Sequence, residues 1–255
     1  MNIVAIIPAR MASTRYPGKP LEYICGIPMI GHVFQRAKMC QDISSVYVAT
    51  CDSEISDYIT SIGGDVVMTS NKHTRCTDRT AEALLKIEKN TGKKADIVCM
   101  IQGDEPMLTM QMISDSVKVF FSDSSVNVVN LMSRIKSLKE FEDPNEVKVV
   151  IDSKSNAIYF SREPIPSRKK GTANVPMLKQ VCIIPFKRDY LLHFNSLNET
   201  PLEKIESVDM MRVIENGGNV RMVMTDQVTY SVDTPQDMMK VESYMKDDPL
   251  LRKYN

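Results

Sequence analysis

In the first half of the chain, short apolar runs rich in β-branched residues alternate with segments of helical period, and this alternation restricts the fold more than any other feature. The runs are NIVAIIP at 2–8, SVYVAT at 45–50, DVVMT at 65–69, DIVCMIQGDEP at 96–106 and NVVNLMS at 127–133. Between them, residues 28–40 place Met29, Ile30, Val33, Phe34 and Ala37 on one helical face, and residues 77–89 do the same with Ala81, Leu84, Leu85 and Ile87. Strands that are apolar throughout, linked by amphipathic helices, make a mainly parallel sheet covered by helices. The fold class is therefore α/β.

After Asp143-Pro144 the pattern changes to VKVVID, AIYFSR and QVCIIPF, separated by the basic segment PIPSRKKGTANVPM. This reads as an inserted β-rich lobe or dimer arm at about 145–200, with a mobile loop at about 164–177, within one domain covering 1–255. A long helix is expected over 201–218, carrying Ile205, Val208, Met211, Val213 and Ile214 and ending on Gly217-Gly218. The strand VRMVMT comes next, and Asp233-Thr234-Pro235 starts a final helix.

Thirty-two basic residues balance 32 acidic ones, so no bulk field draws the chain to nucleic acid or to an anionic membrane. No apolar run approaches the ~20 residues that span a bilayer, and no signal sequence opens the chain. Six scattered cysteines without CxxC spacing indicate reduced thiols and a cytoplasmic setting. His32, His73 and His193 are equally scattered and read as packing or surface residues.

The strand at 2–8 delivers PARMASTRYPGKP, in which Arg10, Arg15 and Lys19 share a segment broken by Pro17, Gly18 and Pro20. Three cations in a fixed loop at the mouth of an α/β sheet suit a polyphosphate, because ligands bind beyond the carboxyl ends of such strands. Arginines can fork onto phosphate oxygens, and the lysine can act as a point charge. Neither a GxxxxGK[ST] nor a GxGxxG motif occurs, which leaves no P-loop or dinucleotide fingerprint. Asp104, at the end of another predicted strand in QGDEP, and Asp233, in SVDTP, are placed to hold Mg²⁺ beside the phosphates.

The segments IIPARMASTRYPGKPL, GIPMIGHV, QGDEPM, DPNEVKVVID, AIYFSREPIP, TPLEKIESVDMMRV and VDTPQD succeed one another in an order that resembles the 3-deoxy-manno-octulosonate (KDO) cytidylyltransferase family, also called CMP-KDO synthetases. The resemblance covers nearly the whole chain. It implies a Rossmann-like nucleotidyltransferase fold, a homodimer, Mg²⁺, and transfer of CMP from CTP to a 2-keto-3-deoxy sugar acid, KDO or a modified KDO. A different acidic acceptor, or a nucleotide-binding role without catalysis, stands as the alternative. By the same resemblance Arg10, Arg15, Lys19 and Asp104 are catalytic. Pro8, Ala9, Arg10, Lys19, Thr77, Arg79 and Gln102 meet the nucleotide, Asp104 and Asp233 hold the metal, and Gln102, Arg162, Gln180, Ile184, Glu206 and Met210 face the acceptor.

The chain departs from the family pattern at several positions. Cys76-Thr77-Asp78-Arg79 stands where the family has Gly-Thr-Glu-Arg, Gln180 and Ile184 replace a histidine and a tyrosine, and Met210 replaces a glutamine. The expectation drawn from the last three is an altered acceptor pocket and a poor fit for unmodified KDO.

Overall fold

The computed structural model describes residues 1–12, 15–171 and 175–254. The chain divides into two compact units, one formed by Met1–Ser114 with Val228–Asn255 and the other by Asp115–Gln227. The lobe expected at 145–200 lies inside the second unit, which extends beyond it at both ends. Three residues of the loop expected to be mobile, 172–174, lie outside the described residues.

In the first unit, β1 (Ile3–Pro8) opens the sheet, and a small hairpin of β2 (Tyr23–Ile24) and β3 (Ile27–Pro28) leads into α1 (Met29–Lys38). Then come β4 (Ser45–Thr50), α2 (Ser53–Ser61), β5 (Asp65–Met68), α3 (Cys76–Thr91), β6 (Ile97–Ile101) and α4 (Met110–Ser122), which carries the chain across the unit boundary. Strand β1 is central, pairing in parallel with β4 from Val4↔Ser45 to Pro8↔Ala49 and with β6 from Ile3↔Ile97 to Ile6↔Met100, while β5 extends the sheet beyond β4. Every residue of β1 and β6 is buried, as a strand covered on both faces requires. A fully buried isoleucine such as Ile6 contributes roughly 1.5–3 kcal/mol.

Because the strands are parallel, their carboxyl ends at Pro8, Thr50 and Ile101 share one edge, and the segments that succeed them all leave from it. Helices α1 and α3 pack against β1 and β4. All five apolar positions expected of α1 are buried, but Leu85 of α3 is half exposed while its neighbour Leu84 is fully buried. Consecutive residues on a helix point about 100° apart, so one of the two had to leave the core face.

The second unit contains β7 (Val129–Arg134), α5 (Leu138–Glu142), β8 (Lys148–Ile151), β9 (Ala157–Ser161), β10 (Leu178–Val181), β11 (Ile183–Lys187), α6 (Arg188–Ser196), α7 (Pro201–Glu206), α8 (Met210–Glu215) and β12 (Arg221–Thr225). Its mixed sheet has the order β12-β7-β10-β8-β9, with β12 and β7 parallel and the remaining pairs antiparallel. The run QVCIIPF, read as a single strand, divides at Cys182 into β10 and β11.

The helix read over 201–218 is also two pieces. Ser207 sits in the left-handed region at φ 52°, ending α7, and α8 begins at Met210. Helix α7 is therefore free of the apolar register of α8, and its Ile205 is 73% exposed. The final helix, α9 (Pro235–Met245), returns to the first unit. It is capped by Thr234 Oγ1, which accepts from the Asp237 amide, while the Asp237 carboxylate accepts from the Thr234 amide.

Candidate active site

In the first unit, the loop after β1 closes on itself through the Gly18 amide, which donates to Met11 O at 3.0 Å. Gly18 has φ 77°, a conformation in which a side chain would be strained, and it turns the chain so that Lys19 starts a short 3₁₀ turn. Ser13 and Thr14 of this loop lie outside the described residues. Lys19 Nζ donates to Asp104 Oδ2 at 2.9 Å, to Asp233 Oδ1 at 3.3 Å and to Val232 O at 2.7 Å. Arg15 reaches the same Asp233 oxygen at 2.8 Å.

The structure thus brings together two of the three loop cations and both carboxylates singled out in the sequence. Asp104 comes just after β6 and Asp233 precedes α9, and the two segments are tied by the Val232 amide donating to Asp104 O at 3.0 Å. Burial disfavours the Lys19 ammonium, but the charges of Asp104 and Asp233 outweigh it and hold its pKa above the ordinary value. Burial, reinforced by the charge of Asp104, pushes the Asp233 carboxyl up, against the pull of Lys19 and Arg15. Arg10 stands apart from the cluster, exposed, with Nη1 3.5 Å from His73 O.

Two carboxylates aimed at a single cation-sized point form a hard-oxygen donor pair, and Mg²⁺ is satisfied by one or two carboxylates with the remaining positions taken by water and phosphate oxygens. Asp104 and Asp233 therefore fit the metal. Among the described residues no group of three His, Cys, Asp or Glu is arranged as a metal site.

The expected nucleotide residues occupy the same unit. Gly103 approaches the end of β1 so closely that a Cβ there would lie 3.2 Å from Pro8 O and 3.4 Å from Ala9 Cβ, which fixes Gln102 and Asp104 beside Pro8 and Ala9. Thr77 and Arg79 lie in the first turn of α3, both buried. Arg79 Nη1 donates to Thr69 Oγ1, while Nη2 is buried with no partner among the described residues. A buried guanidinium with an unused donor costs stability unless a ligand supplies the acceptor.

In the second unit, Arg162 and Glu206 are locked to each other. The Arg162 amide donates to Glu206 Oε2 at 2.8 Å, and its Nε donates to Glu206 O at 2.7 Å, while Nη1 donates to Pro144 O at 2.9 Å. Glu206 Oε1 accepts from Tyr159 Oη at 3.1 Å and Ser161 Oγ at 3.0 Å. The carboxylate expected to receive acceptor hydroxyls is largely engaged in holding the end of β9 in place.

The other acceptor-side residues are also engaged within the protein. Ile184 is 2% exposed and Met210 is completely buried, so neither offers surface to a ligand. Gln180 donates its amide to Asn130 Oδ1 at 2.6 Å, and Asn130 in turn donates to Val181 O and Leu131 O. Ile184 and Met210 therefore pack as core residues, whereas Gln180 is half-buried.

The cytidylyltransferase family model matches residues 4–227. The chain belongs to the cytidylyltransferase family.

Among relatives of this cytidylyltransferase, the 3-deoxy-manno-octulosonate cytidylyltransferase of Geobacter metallireducens is 42% identical over 251 residues, covering 94% of this chain and 96% of the relative. The enzyme of the same name from Syntrophotalea carbinolica is 38% identical, covering 96% and 99%. The solved structure of a CMP:2-keto-3-deoxy-manno-octonic acid synthetase complexed with CTP superposes with a TM-score of 0.87 at 36% identity, covering 96% of this chain and 99% of the other. A cytidylyltransferase from Leptospira borgpetersenii, at 17% identity and a TM-score of 0.64, shares the fold.

Sequence reasoning on this cytidylyltransferase missed several groups that shape these clusters. Lys148, fully buried, donates to the carbonyls of Asp143, Glu146 and Arg162 and so fixes the backbone on which Arg162 stands. Tyr159 and Ser161 hold Glu206, and the Val232 carbonyl shares Lys19. Lys148, Tyr159 and Ser161 lie inside segments that carry the family resemblance, but Tyr159 and Ser161 meet a residue more than forty positions away, and Lys148 turns inward to backbone carbonyls, so only the fold reveals their roles.

Proposed function

We propose that this chain transfers CMP from CTP to a 3-deoxy-2-keto sugar acid of the KDO type, releasing pyrophosphate. The observation that carries the reading is the convergence of Arg15, Lys19, Asp104 and Asp233 on one point beyond the sheet's carboxyl edge, in a chain similar over its length to enzymes named for this reaction. Unmodified KDO is the favoured acceptor, because the relatives that match this chain over nearly its whole length are named for it.

The anomeric hydroxyl oxygen of the acid attacks the α-phosphorus, a new O–P bond forms as the bond to the bridging oxygen of the β-phosphate breaks, pyrophosphate leaves with that oxygen, and the hydroxyl proton passes to solvent water. No covalent work falls to the protein, so catalysis is positioning and charge neutralisation. Arg10, Arg15 and Lys19 are the side chains that neutralise the triphosphate, with Lys19 toward the α-phosphate. Asp104 and Asp233 would hold Mg²⁺, which supplies further neutralisation and lowers the pKa of the attacking hydroxyl. Thr77 and Arg79 offer buried donors to the nucleotide, and Ala9, small and buried, leaves room for a pyrimidine. Arg162 serves the acceptor by pairing with its carboxylate, and Glu206 serves it by holding Arg162 in place.

A homodimer belongs to the reading, and sedimentation equilibrium checks it. No disulfide joins any of the six cysteines, as a reducing cytoplasm maintains them, and no helix among the described residues is long and apolar enough to cross a membrane. The CMP-sugar would feed lipopolysaccharide assembly. Pyrophosphate release with Mg²⁺, KDO and each of CTP, UTP, ATP and GTP tests the proposal: CTP alone should sustain rapid turnover, and equal rates with all four would remove the pyrimidine reading of the pocket.

A further inference from the structure

We infer that Lys19 is the resting counter-cation of the Asp104–Asp233 pair, and that it passes to the nucleotide's phosphates when nucleotide binds, so that divalent cation and nucleotide enter cooperatively. The inference rests on the reading of Asp104 and Asp233 as metal ligands. Lys19 Nζ lies 2.9 Å from one carboxylate and 3.3 Å from the other, with its third donor on Val232 O at 2.7 Å. Its side chain is only 12% exposed. An ammonium has three donors, and here all are used. Lys19 therefore occupies the point that both carboxylates address, which is the point a divalent cation needs.

Charge balance couples the two ligands. Arg15 and Lys19 balance Asp104 and Asp233, so the cluster is neutral at rest. A divalent cation entering alone must displace a buried ammonium from all three of its acceptors, and it leaves the cluster with an excess of positive charge in a poorly solvated place. A triphosphate entering alone draws Lys19 away and leaves two neighbouring carboxylates uncompensated. When both enter, the phosphate oxygens receive Lys19 in charge-assisted hydrogen bonds like those it gives up, and the carboxylates receive the metal.

The movement asked of Lys19 is small. Its four-carbon stem rotates on a backbone fixed by the Gly18 turn and by the Glu22 amide donating to Lys19 O at 3.2 Å. Coupling of this kind is reciprocal and typically 5–150-fold. Lys19 thus keeps the carboxylate pair from taking up metal before there is a phosphate to be neutralised.

The test uses Mn²⁺ as the probe and counts free ion by electron paramagnetic resonance, with the full chain and no nucleotide. Wild type should bind Mn²⁺ weakly, and Lys19→Met should bind it roughly tenfold tighter. Lys19→Gln, which keeps a hydrogen-bond donor for Val232 O, should show the same gain, so misfolding of one variant does not decide the result. Lys19→Met/Asp233→Asn should return to the wild-type level. A second series measures Mn²⁺ in the CTP complex, where Asp104→Asn should weaken it. If both lysine variants bind Mn²⁺ no tighter than wild type while Asp104→Asn still weakens the ternary site, the counter-cation role is overturned and the metal reading stands. If Asp104→Asn changes nothing in the ternary complex, the metal reading falls, and this inference falls with it.

Discussion

At the scale of single residues, what matters most is how four charged side chains share one small volume beyond β1 and β6. Asp233 accepts from both Arg15 and Lys19 on one oxygen, and Asp104 accepts from Lys19. Asp104→Asn and Asp233→Asn each keep the side-chain volume and delete one charge from the point where metal and phosphate meet. Either change should lower the rate of pyrophosphate release by roughly 100-fold or more while far-ultraviolet circular dichroism stays unchanged, by analogy with the loss of one preorganised electrostatic group. Near-normal turnover would strike that carboxylate from the site. Arg79 gives a second residue-scale prediction. Its Nη2 is buried with no partner among the described residues; with Arg79 in the proposed nucleotide-binding role, Arg79→Lys, which loses the planar fork, should weaken CTP binding in calorimetry by about tenfold, as expected from the ~1–3 kcal/mol cost of an unmet buried group. Unchanged affinity would make Arg79 a packing residue.

At the scale of elements, the cap of α9 ties stability to the site, because the Asp237 carboxylate accepts from the amides of both Asp233 and Thr234. Thr234→Ala removes one side of that reciprocal cap and should cost about 1 kcal/mol, lowering Tm by about 2–4 °C for a chain of this size. A thermal scan showing no shift would mean that the cap adds nothing to stability. This element was legible in the sequence because Asp-Thr-Pro is a start signal whose residues act locally. For the same reason β1 and β4 fall where their β-branched runs begin and end. The break between α7 and α8 was not legible, since Ser207 adopts a positive φ without the glycine that would announce it. Nor was the burial of Ile184 and Met210: an apolar side chain reads alike in a pocket wall and in a core, and only packing distinguishes them. The placing of Asp104 was visible, because a charge just beyond a parallel strand has one edge of the sheet to occupy; Asp233, read as following a strand, instead precedes α9, with no strand after Thr225 among the described residues. The engagement of Glu206 by Tyr159 and Ser161 was hidden, because it depends on how α7 lies against β9.

At the scale of the whole molecule, stability and activity should respond differently to pH. In the first unit Arg36 Nε donates to Tyr254 Oη at 2.8 Å, Tyr254 donates to His32 Nδ1 at 2.9 Å, and His32 Nε2 donates to Ile24 O at 2.7 Å, a chain of bonds that is complete only with a neutral imidazole. Burial first, and the charge of Arg36 second, lower the His32 pKa to about 4. Unfolded chains protonate histidine near ~6.5. The folded state therefore takes up fewer protons between those values, and the contribution is full above about pH 6.5 and is lost as pH falls toward 4, by on the order of 3 kcal/mol at most. Urea midpoints across that range should fall more steeply for wild type than for His32→Gln, and parallel curves would show that another group governs acid sensitivity. The central claim, cytidylyl transfer to a KDO-type acid, is tested most directly by phosphorus NMR of the purified chain with CTP, Mg²⁺ and KDO. The expected result is a new CMP phosphodiester resonance that appears with equimolar pyrophosphate and only when the sugar acid is present. An unchanged CTP spectrum with folded protein, or CTP breakdown that proceeds equally without the acid, would contradict it.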